Sequence, residues 1–160
     1  MLYRTAEQTV NRDMHLLRSS DHGNTFSSTK LDAWEVPQCV MSSAAILASD
    51  DKTFAAWETE SQVRFARIDD VANDQQQRKL SPMPTNVSRK HPVLAMNSTG
   101  HIILVWTEGT GWQRGGALAW QVFDPSGNAM PGATGTVDGV PVWSFAAVFA
   151  TGEDRFTILY

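Results

Sequence analysis

Apolar residues are grouped along the chain in short stretches of strand length, without the three- to four-residue spacing of an amphipathic helix. Examples are Ala44–Leu47, Ile102–Val105 and Phe156–Leu159. Clusters rich in Ser, Asp, Asn, Gly and Pro separate these stretches, which predicts an all-β chain. Only Val71–Arg78 could form a helical turn or two, and its Gln-rich composition favours a solvated excursion between strands.

An aromatic residue ends an apolar strand at a regular interval. The four positions are Tyr3, Trp57, Trp106 and Tyr160, which stand 54, 49 and 54 residues apart. A second apolar stretch precedes each of the last three. These preceding stretches are Ala44–Ala48, Pro92–Ala95 and Ala146–Ala150. A repeat of about 50 residues with about four short strands is typical of a β-propeller blade, because one twisted sheet has two faces that neighbouring sheets must cover.

One predicted hairpin carries a complete turn motif, S-x-D-x-G-x-T-F, between strands predicted at Met14–Arg18 and Ser28–Leu31. The motif positions are Ser19, Asp21, Gly23, Thr25 and Phe26. The Asp carboxylate can accept hydrogen bonds from nearby backbone N–H groups, and the Gly can adopt a positive φ. The hydroxyl side chains can bond back locally, and the Phe is expected to anchor the turn between neighbouring sheets. The motif specifies fold and not chemistry.

With this motif the chain resembles the sialidase-like (BNR or Asp-box) β-propeller family, whose sialidase members have six blades. In that family the motif links the third and fourth strands of a blade. Further segments are similar to bacterial sialidase-like proteins of unassigned activity. They are Arg12–Asp21, Lys90–Ala95, Trp106–Trp112 and Val140–Ser144. The corresponding hairpins of the later repeats, near Arg67–Asp74 and Asp124–Asn128, are expected to have degenerated to other turns.

The repeats account for half a six-bladed ring. From Tyr3 to Tyr160 there are three repeats of about 52 residues, and six blades need about twice that length. The predicted order is the outer two strands of a blade at 1–38, full blades at 39–89 and 90–139, and the inner two strands of a last blade at 140–160. Such an object has two open sheet edges and an uncovered apolar flank.

A homodimer with two-fold symmetry removes both open flanks. The inner strands of one copy's last blade would pair with the outer strands of the other copy's first blade, and two hybrid blades would close a six-bladed ring. We therefore expect an obligate, strand-sharing homodimer. The alternative is that the chain is the C-terminal half of a longer protein whose other half closes the ring.

Composition and charge exclude several classes of function. With 160 residues, of which 42% are hydrophobic and 19% charged, the chain is long enough for one domain with a core. Its net charge of −4 argues against a general nucleic-acid or anionic-membrane binder. No apolar run approaches the roughly 20 residues that span a bilayer. Residues 1–5 lack the layout of a signal peptide, although the family resemblance implies exported relatives.

The sequence predicts neither a metal site nor a cofactor. The single cysteine, Cys39, excludes an intrachain disulfide and a multi-thiolate zinc site, and it is expected to be a small buried hydrophobe. The four histidines are scattered without ligand spacing. The glycines around Arg114 do not form a dinucleotide fingerprint, because Arg114 takes the place of the third glycine.

Charged residues that follow predicted strand ends are the candidate ligand contacts, because rim loops of a scaffold commonly bind ligands. They are Arg4, Glu58, Lys90, His91, Glu108 and Arg114. The nearly repeat-equivalent Arg4, Glu58 and Glu108 are predicted to project into one region near the axis, and a solvated rim charge is the alternative for each. A glycosidase needs two acids about 5 to 9.5 Å apart, and Glu58 and Glu108 are the best pair.

The tryptophans divide into core and rim positions. Trp57 and Trp106 are repeat-equivalent and are predicted to lie between blades. Trp112 lies in the Gly-rich stretch Glu108–Gly116, and Trp143 follows Pro141. An exposed aromatic ring at either place can stack on a sugar, with loop packing as the alternative.

The resemblance also implies what a sialidase site requires: three arginines on the substrate carboxylate, a Tyr–Glu nucleophile pair and an Asp acid/base. This chain lacks an Arg-Ile-Pro motif, and Tyr3 and Tyr160 occupy anchor slots suited to core packing. Arg4 and Arg12 remain as candidate anion ligands. We therefore expect binding of a carbohydrate or small polar ligand at the rim. The alternatives are a sialidase-like glycoside hydrolase that uses Glu58 or Glu108, and a non-catalytic scaffold or truncated propeller fragment.

Overall fold

The computed structural model describes residues 1–49, 52–69, 82 and 84–160, and these residues form strands, turns and loops without a helix. The strands are β1 Leu2–Arg4, β2 Met14–Arg18, β3 Ser27–Asp32, β4 Ala44–Ser49, β5 Lys52–Thr59, β6 Gln62–Arg67, β7 Arg89–Met96, β8 Ile102–Glu108, β9 Gly116–Phe123, β10 Ala129–Val140, β11 Ala147–Gly152 and β12 Arg155–Leu159. The stretch predicted to form a helical turn, Val71–Arg78, lies outside the described residues. No described segment is a helix long and apolar enough to cross a membrane.

The described strands form four antiparallel sheets that follow one another in chain order. The sheets are β1–β2–β3, β4–β5–β6, β7–β8–β9–β10 and β11–β12. The third sheet has the four strands predicted for a blade. The first sheet has three strands where the sequence predicted two, because Leu2–Arg4 pairs with Met14–Leu16 and adds β1 to the two outer strands.

Neighbouring sheets pack face to face through three apolar cores, because the central strands of the second and third sheets are buried on both faces. In β5, Phe54 faces the core shared with the third sheet, whereas Trp57 faces the core shared with the first. Trp106 of β8 faces the second sheet, and Val105 faces the fourth. Trp57 and Trp106 are 0% and 3% exposed, which confirms their predicted place between sheets. This face-to-face succession is how propeller blades pack.

The first strands of the last three sheets lie side by side, because β7 contacts both β4 and β11. The flanks of this row are apolar and open in the isolated chain. On the β4 side Ile46 is 45% exposed, and on the β12 side Leu159 and Tyr160 are 56% and 48% exposed. The expectation that Tyr160 packs in a core is therefore wrong for the single chain, since the described residues place no sheet against this face of β12.

Two further burial predictions are wrong. Phe26 is 59% exposed and does not anchor its turn between sheets, because its ring lies beside Gly23 of its own turn. Cys39 is also exposed, since it belongs to the loop between β3 and β4 and not to a strand.

The Ser19–Phe26 turn, between β2 and β3, is organised by the Asp21 carboxylate. Asp21 accepts hydrogen bonds from the backbone N–H and the hydroxyl of Thr25, at 2.8 and 2.6 Å, and from the Ser19 hydroxyl at 2.8 Å. Gly23 adopts φ +89° and donates its N–H to Ser19 Oγ. These hydrogen bonds, those of Thr25 first, lower the pKa of Asp21 to about 2. The turn therefore has the local bonding that its sequence predicts.

The turn at Asp124–Asn128 holds the same place between the third and fourth strands of its sheet. Here the Asp124 carboxylate accepts the backbone N–H groups of Ser126 and Asn128, at 2.9 and 2.8 Å, and the Asn128 side-chain amide at 2.9 Å. The sequence differs from the complete motif, but the carboxylate plays the same organising part as Asp21.

Candidate functional site

Four loop regions meet at one end of the sheets, because alternate connections of antiparallel strands lie at the same end. They are the β3–β4, β5–β6, β8–β9 and β10–β11 connections, together with the start of β7. They enclose a cavity of about 330 Å³ that we call the rim cavity. Its lining includes Trp34, Cys39, Met41, Glu58, Ser61, Lys90, His91, Thr110, Trp112, Arg114, Trp143 and Phe145. The two Asp-centred turns lie at the opposite end.

Most of the residues predicted from the sequence as ligand contacts line this cavity. They are Glu58, Lys90, His91, Trp112, Arg114 and Trp143. Arg4 lies directly behind the lining, since its guanidinium donates to the backbone carbonyl of Glu58. Arg12 and Glu108 do not line the cavity.

Glu58 is the most unusual residue of the cavity. It is 2% exposed, and its Oε2 has no hydrogen-bond partner among the described residues. Burial raises the pKa of Glu58 to about 7, and the charges of Lys90 and Arg4 hold it from rising further. With its pKa raised toward neutrality, this carboxyl group can donate a hydrogen bond when protonated and accept one when ionised.

Arg4 connects the first sheet to the wall of the cavity. Its Nε donates to Ser42 Oγ at 2.8 Å, and its other nitrogens donate to the backbone carbonyls of Arg12 and Glu58. The guanidinium also lies over the Trp34 ring, 5.0 Å from the ring centre. Burial lowers the pKa of Arg4, and the charge of Glu58 opposes that shift. Arg4 therefore fixes Trp34 and the Glu58 backbone in place.

Lys90 and His91 enter the cavity at a bulge in β7. The register between β7 and β8 shifts between Lys90 and Val93, and His91 adopts φ +54° at the irregularity. The His91 ring meets Phe145 edge-on, with ring centres 4.7 Å apart, and its Nδ1 lies 3.4 Å from Ser43 Oγ. Burial and, secondarily, Lys90 lower the pKa of His91, which favours the neutral imidazole at pH 7. Bulges commonly re-aim side chains in this way beside binding sites.

Trp112 and Trp143 form an exposed aromatic corner at the mouth of the cavity. Their rings meet edge-on at 88°, with centres 4.7 Å apart, and the residues are 73% and 56% exposed. Trp143 also has φ +63°, an uncommon backbone conformation for a bulky residue. An exposed ring at a cavity mouth provides an apolar face on which a sugar can stack.

Close backbone packing positions the loop that carries Trp112 and Arg114. A Cβ on Gly116 would lie 2.1 Å from the carbonyl oxygen of Glu108, and one on Gly115 would lie 2.3 Å from that of Val140. Only glycine allows these approaches. The loop is therefore held against the ends of both β8 and β10.

Cross-strand neighbours explain why Glu108 differs from Glu58. Arg89 stands directly opposite Glu108 in the β7–β8 register, and its Nε donates to Glu108 Oε1 at 2.8 Å. Trp106 Nε1 donates to the same oxygen at 2.9 Å. Glu58 has no such partner, because the β4–β5 ladder on the corresponding side ends at Ala44 opposite Trp57. The prediction that both acids project into one ligand site is therefore wrong for Glu108, which stabilises its sheet. Arg12 likewise bonds within its own loop, to the carbonyls of Asn11 and Thr9.

Sequence reasoning missed Trp34, Met41 and Phe145 in the lining. A signal existed for Trp34, because Trp143 follows it by 109 residues, about two repeat lengths, and both belong to connections from a fourth strand to a first strand. Met41 and Phe145 have no comparable signal. Within the described part of the chain, no group of three or more His, Cys, Asp or Glu side chains is placed to hold a metal ion.

No protein-family model and no curated protein sequence matches the chain. Solved structures do match. An α-L-arabinofuranosidase from Fusarium graminearum, bound to an iminosugar inhibitor, is 12% identical with a TM-score of 0.62, over 95% of this chain and 49% of that enzyme. An α-L-arabinanase from Penicillium chrysogenum, bound to arabinobiose, is 16% identical with a TM-score of 0.61, over 96% of this chain and 50% of that enzyme.

A mutant of NanB sialidase from Streptococcus pneumoniae is 13% identical with a TM-score of 0.54, over 86% of this chain and 21% of that protein. These structures have β-propeller folds of five to six blades. The four-sheet, all-β architecture of the described residues therefore matches a propeller. The chain spans about half the length of the arabinofuranosidase and the arabinanase. At these identities the likeness shows the fold alone.

Proposed function

We propose that the chain binds a carbohydrate in the rim cavity. The observation that carries this proposal is Glu58, a carboxyl group that is 2% exposed, lacks a partner for Oε2 and lines a cavity. A buried polar group without a partner is unfavourable in a protein that only has to fold, so it favours a ligand that supplies hydrogen bonds. Sugar hydroxyl groups can both donate and accept hydrogen bonds, so they can bond to this carboxyl group in either protonation state.

The aromatic corner supports the same ligand class. Trp112 and Trp143 provide apolar ring faces beside the polar groups of Glu58 and Lys90. A sugar ring has an apolar face of C–H groups and a polar edge of hydroxyl groups, so it matches this combination. The propeller likeness to enzymes crystallised with arabinobiose and with an iminosugar is compatible with the proposal.

Titration calorimetry with arabinobiose and with N-acetylneuraminic acid tests this proposal. We expect at least one saccharide to bind, and Trp112→Ala to weaken it about tenfold, as loss of about 1.4 kcal/mol of ring contact implies. Phe26→Ala is the matched control, because Phe26 is an exposed aromatic at the opposite end of the sheets. Equal effects of the two substitutions, or heat signals from neither saccharide, would contradict sugar binding in this cavity.

A second candidate function is glycoside hydrolysis with Glu58 as the proton donor. A carboxyl group whose pKa is about 7 is suited to general-acid catalysis at neutral pH. Glu58 is the one carboxylate in the described lining, so a two-carboxylate mechanism would take its second acid from the half that closes the ring. Glu108 is the weaker candidate, because Arg89 and Trp106 already occupy its Oε1.

Chromogenic aryl glycosides of arabinose and of N-acetylneuraminic acid separate the candidates. Hydrolysis predicts turnover that falls about a hundredfold or more in Glu58→Gln. Turnover should persist in Glu60→Gln, since the Glu60 side chain is 64% exposed and pairs with Arg64. Turnover that survives Glu58→Gln contradicts this role. Binding without turnover leaves the lectin-like function, and silence in both assays favours the non-catalytic scaffold.

We also propose that two copies close a six-bladed ring, and that the Ser19–Phe26 turn is an Asp-box of the sialidase-like family. Support for the ring comes from the open apolar flanks at Ile46 and at Leu159, which a single chain leaves exposed. Light scattering coupled to size-exclusion chromatography should give twice the mass of one chain. A folded species with the mass of one chain at all concentrations would contradict the ring.

A further inference from the structure

The two sheets at the open flanks contain one strand more than a single blade can hold. The third sheet is a complete unit of four strands, β7 to β10, whereas β1–β2–β3 and β11–β12 together supply five. The surplus lies in the second-strand position of the repeat. Both β1 and the end of β12 occupy that position, and each carries the dipeptide Leu-Tyr there, as Leu2–Tyr3 and Leu159–Tyr160.

A groove lies beside β1 where the first strand of its blade would run. This flank groove, lined by Leu2 of β1 and by Ala44 and Ile46 of β4, has a volume of about 400 Å³. Among the described strands β1 pairs with β2 alone, so its other edge is open to the groove. Because β4, β7 and β11 already lie side by side, the next first strand in the ring belongs beside β4, in the groove.

β1 is the weaker of the two strands that fit the second position. It has three residues, whereas β12 has five. Leu2 is half-buried against the core that contains Met14 and Leu16, whereas Leu159 is 56% exposed. Because Leu159 would take the place of Leu2 on that core, the apolar surface newly removed from water is mainly that of the groove, where Ile46 is 45% exposed.

We propose that in the two-copy ring β12 of each copy replaces β1 of the other, while β11 fills the flank groove. The partner's Leu159 and Tyr160 then take the positions of Leu2 and Tyr3, opposite Leu16 and His15 of β2. The exchanged residues of β1 are Leu2 and Tyr3, so the hybrid blade has four strands, while Arg4 keeps its hydrogen bonds to Ser42 and to the carbonyls of Arg12 and Glu58. This exchange rests on the two-copy ring proposed above and goes further, because it names the strand that must leave.

Two cysteine pairs in a Cys39→Ser background test the exchange, since Cys39 is the one cysteine of the sequence and is exposed. The pair His15→Cys with Tyr160→Cys joins two copies across the exchanged strand. The pair Tyr3→Cys with His15→Cys joins β1 to β2 within one copy and locks β1 in place, because these residues are register partners. Opposed residues of antiparallel strands lie about 4.5 to 5.5 Å apart, which suits a disulfide.

We expect the first pair, after oxidation, to give a covalent dimer on non-reducing gels. We expect the second pair to give a species with half the dimer mass, which returns to the dimer mass on reduction. The single variants His15→Cys and Tyr160→Cys, checked by circular dichroism, control for folding. If the protein with the oxidised Tyr3→Cys and His15→Cys pair remains dimeric, β1 does not leave its place. The exchange is then wrong, although the two-copy ring is not contradicted. If the unmodified chain is a folded monomer, ring and exchange fail together.

Discussion

Glu58 gives the sharpest quantitative prediction, because its pKa links burial to stability. Burial raises this pKa from an ordinary 4.5 to about 7. Between those two pH values the folded protein retains a proton that the unfolded chain has released, so raising the pH favours unfolding. The stabilisation is complete below pH 4.5 and is lost as the pH rises through 7. At about 1.4 kcal/mol per pH unit, the loss amounts to about 3 kcal/mol.

Glu58→Gln removes the titration while keeping the shape of the side chain. We expect the variant and the parent protein to have similar free energies of unfolding near pH 4.5, and the variant to be more stable by about 3 kcal/mol above about pH 8. Urea unfolding followed by tryptophan fluorescence, repeated across this range, measures the difference, and all other titrating groups cancel in it. Glu60→Gln is the exposed control and should give a flat difference. A flat difference for Glu58→Gln, or one that favours the parent protein as pH rises, would refute the reasoning.

Three further predictions concern the sheets and their turns. Phe65 is 0% exposed and packs between Phe54 and Phe123. We expect Phe65→Ala to lower the free energy of unfolding by about 3 to 5 kcal/mol. The control Phe26→Ala, at a position that is 59% exposed, should change it by less than about 0.5 kcal/mol. Gly116→Ala should lower the melting temperature by several degrees, because its Cβ would lie 2.1 Å from a carbonyl oxygen, whereas Gly152→Ala, whose nearest neighbour is 3.4 Å away, should not. We expect the Asp21 carboxyl group to titrate at about pH 2 when followed by NMR. The stabilisation that its hydrogen bonds provide should be present above pH 3.8 and be lost as the pH falls through 2. A titration midpoint near 3.8 would contradict the hydrogen bonding described.

The fold could be predicted from the repeat of about 50 residues. Both faces of a propeller sheet are buried, so a large aromatic residue recurs at the same strand position in each repeat. The positions of Trp57 and Trp106 follow from that repeat, and the structure places both between sheets. The same reasoning was wrong for Tyr160, whose slot is a core position only when another sheet covers it. A repeat pattern gives the position of a residue within its blade, but burial also depends on whether a neighbouring blade is present.

The candidate site was predictable to the extent that strand ends define one rim. That rule brings Glu58, Lys90 and Trp143 together, since their segments end or begin at the same end of the sheets. It fails for Glu108, because the outcome depends on the residue directly across the ladder. Arg89 of β7 stands opposite Glu108, whereas on the corresponding side of Glu58 the β4–β5 ladder ends one residue earlier, at Ala44 opposite Trp57. Which residue faces which across two strands depends on the register, and the bulge in β7 alters it locally.

The two ends of the sheets differ in a way that favours ligand binding over a bare scaffold. At the Asp-centred end, the carboxylates of Asp21 and Asp124 are fully engaged by their own turns. At the cavity end Glu58 has an oxygen without a partner, and Ser61, His91 and Trp143 hold left-handed backbone conformations.

Left-handed non-glycine residues cost of order 1 to 3 kcal/mol each and persist where the surrounding structure imposes them. Of the eight such residues in the described chain, six lie in the β1–β2, β5–β6, β8–β9 and β10–β11 connections at the cavity end, His91 lies at the bulge in β7, and His22 lies in an Asp-centred turn. A scaffold selected only for stability would gain from relieving this strain and from pairing or removing Glu58. Left-handed residues and a buried carboxyl oxygen without a partner, at the end opposite two fully bonded turns, therefore support the ligand site proposed at the rim cavity.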